Sequence, residues 1–104
     1  MIFNVLWEAA QRGELLLLDG GICHWHLRRD GQVTIREILA WPTGRGRGTA
    51  MLEHLRQIAG ARRLVAKCPA GLSANGWYAH RGFVLEQAER TKAGGVLNVW
   101  RLDL

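Results

Sequence analysis

The stretch "PTGRGRGTA", Pro42 to Ala50, alternates three glycines with two arginines and runs straight into a helical pattern. Behind it Met51, Leu52, Leu55, Ile58 and Ala59 fall on one helical face, and Gly60 is a stop signal. The first turn of a helix carries backbone N–H groups with no intrahelical partner, and the helix dipole adds partial positive charge there. An anion fits such a place. Glycines let the backbone approach the anion closely and adopt positive φ, and arginines add permanent charge in a bidentate fork. The loop therefore reads as a diphosphate cradle. Two common cradles are excluded by spacing. No Gly-Lys-Ser/Thr follows, and Gly44, Gly46 and Gly48 do not make GxGxxG.

Working outward, the segment before the loop predicts an antiparallel meander. Glu14 to Asp19 is a strand, Asp19-Gly20-Gly21 a tight hairpin turn, and Ile22 to Arg29 the next strand. Asp30-Gly31 is a second hairpin signal, and Gln32 to Trp41 is the third strand. Ahead of them Phe3 to Gln11 predicts an amphipathic helix with Phe3, Leu6, Trp7 and Ala10 on one face, ended by Gly13. Beyond the loop helix, Leu64-Val65-Ala66 is a short apolar run. A strand–loop–helix–strand unit implies a right-handed crossover, so this strand is expected parallel to the third. Ser73 reads as the N-cap of a short helix through His80, which Gly82 breaks. Phe83 to Arg90 and Val96 to Leu102 read as two more strands, turned by Lys92-Ala93-Gly94-Gly95. The fold class is α/β: a mixed, mostly antiparallel sheet with a central parallel strand pair, flanked by helices, in a single domain over residues 1–104.

The composition agrees. With 48% hydrophobic residues in 104, the chain can bury a real core. A net charge of +5 favours anionic partners without choosing among them. Cys23 and Cys68 are too few for a disulfide scaffold and read as reduced core thiols. The longest apolar run, Leu15 to Leu18, is far short of a membrane span, so no membrane partner is expected. The N-terminus lacks the pattern of a secretory signal, and the expected location is the cytoplasm. The tryptophans, Trp7, Trp25, Trp41, Trp77 and Trp100, are scattered as core and pocket walls are, not gathered into a base-stacking stripe.

Arg45, Gly48 and Ala50 fit the pattern Arg/Gln-x-x-Gly-x-Gly/Ala, with Pro42 three residues ahead. Downstream, "NGWYAHRGF", Asn75 to Phe83, places Tyr78 three residues after Asn75 and a Gly-Phe pair at the start of a strand. These two motifs, in this order and context, resemble those of the GCN5-related N-acetyltransferases, the GNAT superfamily. The resemblance covers Glu14 to the C-terminus; in front, the chain offers one short helix where family members usually carry another strand and helix. It implies a central strand pair splayed around acetyl-CoA as acyl donor and an amine as acceptor, which is a protein, a small molecule or a nucleobase. It further implies pyrophosphate contacts from Arg45, Gly46, Arg47, Gly48, Thr49 and Ala50. Pantetheine would act as a substitute strand along Ile38, Leu39 and Ala40, with its amides also held by Asn75.

Acyl transfer to an amine needs a base, an oxyanion site and an acid. Glu37 is the candidate base: in an unbroken strand Val33, Ile35, Glu37 and Leu39 share one face, and a carboxylate in that apolar row would be partly desolvated. The other reading is that a bulge turns Glu37 to solvent or that it pairs with a basic residue. Tyr78 is the candidate acid for the departing sulfur; otherwise it is a packing aromatic. Asn75 otherwise satisfies its own backbone at a helix start. In "CHWH", strand alternation puts His24 and His26 on one face and Cys23 on the other, so no metal site is expected; either histidine could serve as a relay or alternative base. Cys68 reads as structural. Arg62-Arg63 reads as solvating a strand entrance, or as meeting a cofactor phosphate. Two other functions stay open: a basic nucleic-acid-binding module using the RGRG loop, and a CoA-binding protein without activity. The last strand, Val96 to Leu102, could pair with a second copy to give a homodimer.

Overall fold

A computed structural model describes residues 2–41 and 46–104 of the chain. The elements in order are α1 (Ile2–Gln11), β1 (Leu15–Leu18), β2 (Gly21–Leu27), β3 (Gln32–Ala40), α2 (Arg47–Arg56), β4 (Arg63–Pro69), α3 (Ala74–His80), β5 (Val84–Arg90) and β6 (Val96–Asp103). They form one six-stranded sheet in the order β1-β2-β3-β4-β6-β5. Every pair is antiparallel except β3 with β4, the pair joined by the α2 crossover. The expected meander and parallel crossover are both present.

Two expectations need correction. β6 is not available to a partner chain, because β4 and β5 pair with it on both sides; the sheet edges are β1 and β5. In α1 the expected apolar face is turned outward. Phe3 and Trp7 are exposed, while the small side chain of Ala9 is the one wholly buried. A methyl group lets the helix sit close on β1, and the bulky residues are left on its flank. Arg62 and Arg63 sit where β4 begins. Arg63 reaches the Asp30 carbonyl and carboxylate, and the Arg62 side chain packs on Gly31, so both brace the β2–β3 turn rather than a ligand.

The core lies on the sheet face covered by α2 and α3. Cys23, Val33, Ile35, Leu64 and Ala66 point up from the strands into Met51, Leu52 and Leu55 of α2, and Tyr78, Phe83 and Trp100 continue the same cluster. Both cysteines are buried and free. Burial pushes the Cys23 thiol up to about 12, so it is an inert apolar residue at neutral pH.

Candidate active site

β3 and β4 pair only over Gln32–Ile35 and Arg63–Ala66. Beyond that they part. β4 goes on to Pro69 paired with β6, while residues 37–40 of β3 stay paired with β2 alone. Among the described residues no strand lies against the β4-facing edge of that length of β3, so its backbone groups on that side need a partner from elsewhere. The gap is the mouth of a cavity of about 690 Å³. Its walls are β3 from Ile35 to Ala40, the first turn of α2, the end of β4, and α3 with Arg81.

The cavity is lined by every residue of β3 from Ile35 to Ala40, and β3 changes phase within that length. The β2–β3 register pairs His24 with Glu37 and then Trp25 with Ile35, leaving Arg36 as the extra residue of a bulge. Directly opposite residues of an antiparallel pair share a face. Before the bulge Val33 and Ile35 point into the core; after it Ile38 does, opposite Cys23. Glu37 and Leu39 are therefore on the other face, with His24 and Ile22. This corrects the expected apolar row: Glu37 is exposed and does not stand among core side chains. It still lines the cavity, as Trp77 and Tyr78 do.

At the other wall, Gly46 caps α2 in the left-handed region at φ 74°. A glycine meets that conformation without the Cβ clash other residues suffer. The Ala50 amide closes the first helical bond, onto the Gly46 carbonyl at 2.9 Å. The amides of Arg47, Gly48 and Thr49 precede it and bond no other described residue. Gly46, Arg47, Gly48 and Thr49 line the cavity; Ala50, whose amide is committed, does not. Gly48 is a glycine for a different reason from Gly46. A Cβ there would lie 2.7 Å from Cζ2 of Trp77, so its absence is what lets α2 and α3 meet.

The Arg47 side chain turns away from the expected anion. Its Nε donates to the Asp19 carbonyl at 2.7 Å, and the guanidinium fills the space beside Gly20 in the β1–β2 turn. Its backbone, not its charge, faces the cavity. Asn75 is corrected more fully. Its amide nitrogen donates to the carbonyls of Pro69, Ala70 and Leu72, and its Oδ1 accepts from Asn98 Nδ2 at 3.0 Å and Trp100 Nε1 at 2.8 Å. Both ends are saturated by protein, and Asn75 does not line the cavity. It ties the β4–α3 loop to β6. The expected contact of Arg45 falls outside the described residues.

Tyr78 is buried with its ring edge-on to Trp77 and Phe83, each at 5.2 Å between centroids. Burial, with smaller contributions from Cys68, Cys23 and Glu37, pushes its hydroxyl up to about 12. It therefore stays protonated throughout the neutral range and can act only as a donor there. Two residues without an expected role complete the wall. Arg81 donates from Nε to Thr49 Oγ1 at 2.9 Å and lies 5.2 Å over the Trp77 ring, which holds a fixed positive charge beside the first turn of α2. Trp77 and Arg81 stand one helical turn apart, at i and i+4; that spacing, inside the motif already singled out, was the available signal.

No protein-family model and no curated protein sequence matches this chain. Solved structures do match. An acetyltransferase of the GNAT family from Bacillus cereus superposes with a TM-score of 0.78 at 14% identity, covering 96% of this chain and 77% of its own. The fold is that of the GNAT acetyltransferases. A GNAT-family protein from Desulfovibrio desulfuricans gives 0.67 at 21% identity over 81% of this chain and 60% of its own. A Bacillus subtilis acetyltransferase solved in complex with CoA gives 0.72 at 15% identity, over 97% and 83%. The chain thus spans about 60% of the Desulfovibrio GNAT protein, and these identities speak for the GNAT fold alone.

Proposed function

We propose that this chain is an acyltransferase that moves an acetyl group from acetyl-CoA to a primary amine by direct attack. One observation carries the reading: the edge of β3 and the amides of the α2 first turn, which have no backbone partner among the described residues, line a single cavity. A pantetheine arm has amides that can bond residues 38–40 as a missing strand would. Its pyrophosphate suits the amides of Arg47, Gly48 and Thr49, with Arg81 alongside. The CoA held by the Bacillus subtilis neighbour and the shared fold support this choice of donor. The residues present fit the group.

The amine acceptor then comes from the Glu37 face, and Tyr78 waits on the donor face. An alkylamine has a pKa of about 10.4, so roughly one molecule in a few thousand is neutral at pH 7. Glu37 is exposed and within the cavity, where it can take the ammonium proton. Attack on the thioester carbonyl leaves a negative oxygen, which the unpaired β3 backbone can bond. Collapse expels a thiolate, and Tyr78 supplies its proton. The nucleic-acid reading is weakened by Arg47, whose side chain is directed to the β1–β2 turn and not into the cavity.

Calorimetry with acetyl-CoA, followed by mass spectrometry over a panel of peptides, polyamines and aminoglycosides, tests the proposal. Binding with acetyl transfer to at least one amine is expected. Stabilisation by oligonucleotide, steeply weakened by salt, with no response to acetyl-CoA would instead identify a phosphate-backbone binder.

A further inference from the structure

The His24 side chain is buried, 4% exposed, and its Nε2 is closed off from solvent with no hydrogen-bond partner among the described residues. A buried nitrogen without a partner is costly, and native proteins rarely keep one without a use. Its place is informative. The register sets His24 directly across from Glu37, and side chains so paired have Cβ atoms about 5 Å apart. The pairing exists only because of the bulge at Arg36; in an unbroken strand Glu37 would point into the core, on the far side of the sheet from His24. The bulge therefore sets a cavity carboxylate and a buried imidazole on the same face of the sheet, opposite each other in the strand pair. On the same face His26, two residues along, is partly exposed and hydrogen-bonded through Nδ1 to Glu14, which also holds Arg12.

Resting on the acetyltransferase reading, we infer that His24 is a positioning residue that takes the amine proton on from Glu37, so that the two form one proton-accepting pair. The ammonium loses one proton to the Glu37 carboxylate, its nitrogen forms the C–N bond and gives its second proton to water, the C–S bond breaks, and the thiolate gains a proton from Tyr78. Glu37 shares its proton with the neutral His24 ring, the exposed carboxylate then releases it to water, and Tyr78 is reprotonated from water. An amine entering as ammonium gives up two protons, one of which is matched by the proton gained by sulfur. Burial holds the His24 ring below its ordinary value, with Arg36 and Arg12 adding to the effect and Glu14 and Glu37 opposing it. At neutral pH the ring is thus free to accept.

The test has one arm that needs no turnover. Two-dimensional NMR follows the His24 ring through a pH titration in the intact chain and in Glu37→Gln, an exposed substitution that leaves the core untouched. Loss of the opposing carboxylate should move the His24 midpoint further down, and an unmoved midpoint overturns the pair. In steady-state assays His24→Gln should lower kcat by about tenfold or more with KM for acetyl-CoA unchanged, and should displace the acidic limb of the rate profile. A folded His24→Gln with the wild-type profile also overturns it. If acetyl-CoA binding itself failed, the donor assignment would fall while the titration still decided whether the two side chains are coupled.

Discussion

Replacing Gly48 by alanine is the sharpest perturbation of this site. Gly48 is a helical residue without a positive φ, so no backbone strain arises. On propensity alone alanine would stabilise the helix by up to about 1 kcal/mol, less in a first turn. Against that, the new methyl would start 2.7 Å from Cζ2 of Trp77, well inside contact distance. Trp77 has little room to retreat: Tyr78 stands edge-on to it and Arg81 lies over its ring. Overpacking of this kind costs about 1–3 kcal/mol. The balance is a net loss of about 1–2 kcal/mol, which for a domain of this size lowers Tm by roughly 5–15 °C. Trp77 and the first turn of α2 both form the cavity wall, so acetyl-CoA affinity should fall at least about tenfold, or 1.4 kcal/mol. Differential scanning calorimetry and titration calorimetry measure the two effects. Adding Trp77→Ala should remove the collision, so the double variant should be less destabilised than the sum of the singles. A Gly48→Ala protein as stable as the parent, with unchanged affinity, would refute the argument that this glycine exists to admit the tryptophan.

Asn75→Ala should cost about 2–4 kcal/mol by leaving Trp100 Nε1, Asn98 and loop carbonyls unpaired, and chemical denaturation with an unchanged midpoint would remove its bracing role. Tyr78→Phe should keep stability within about 0.5 kcal/mol, because the hydroxyl bonds no other described residue, yet lower kcat by about 10–100-fold at constant acetyl-CoA affinity; full turnover would dismiss it as the acid. The pH dependence of Tm carries the signature of His24. Its native value lies below 6.5, so as pH falls through 6.5 the unfolded chain takes up the proton first and stability declines until the native ring also titrates. His24→Gln should flatten that window, and a pH-independent wild-type Tm between 7 and 5 would contradict it. Glu14 adds a separate acid loss. Burial acts to raise it, but hydrogen bonds from Arg12 and His26 with their charges outweigh this, so its net value lies below 4.5 and its contribution vanishes as pH falls below that.

By itself the sequence determined the order and kind of the elements and the parallel crossover, and it pointed to the start of α2 as the candidate anion site. These rest on local rules: period-two and period-3.6 apolar patterns, glycines at turns, and the fact that a glycine-flanked helix start leaves amides free. It also singled out Tyr78 and Glu37 as candidate acid and base, and both line the cavity. Tertiary structure decided where each side chain goes. A single extra residue in β3 reverses Glu37 from the core face to the His24 face, and strand alternation cannot reveal an insertion that only the β2 register defines. Asn75, the Arg47 side chain and Ala50 lost their expected contacts because partners distant in sequence, Trp100, Asn98 and the Asp19 carbonyl, or the helix's own ladder, already engage them. Hydrogen-bonding capacity is local, whereas its satisfaction depends on which chain segments folding brings together.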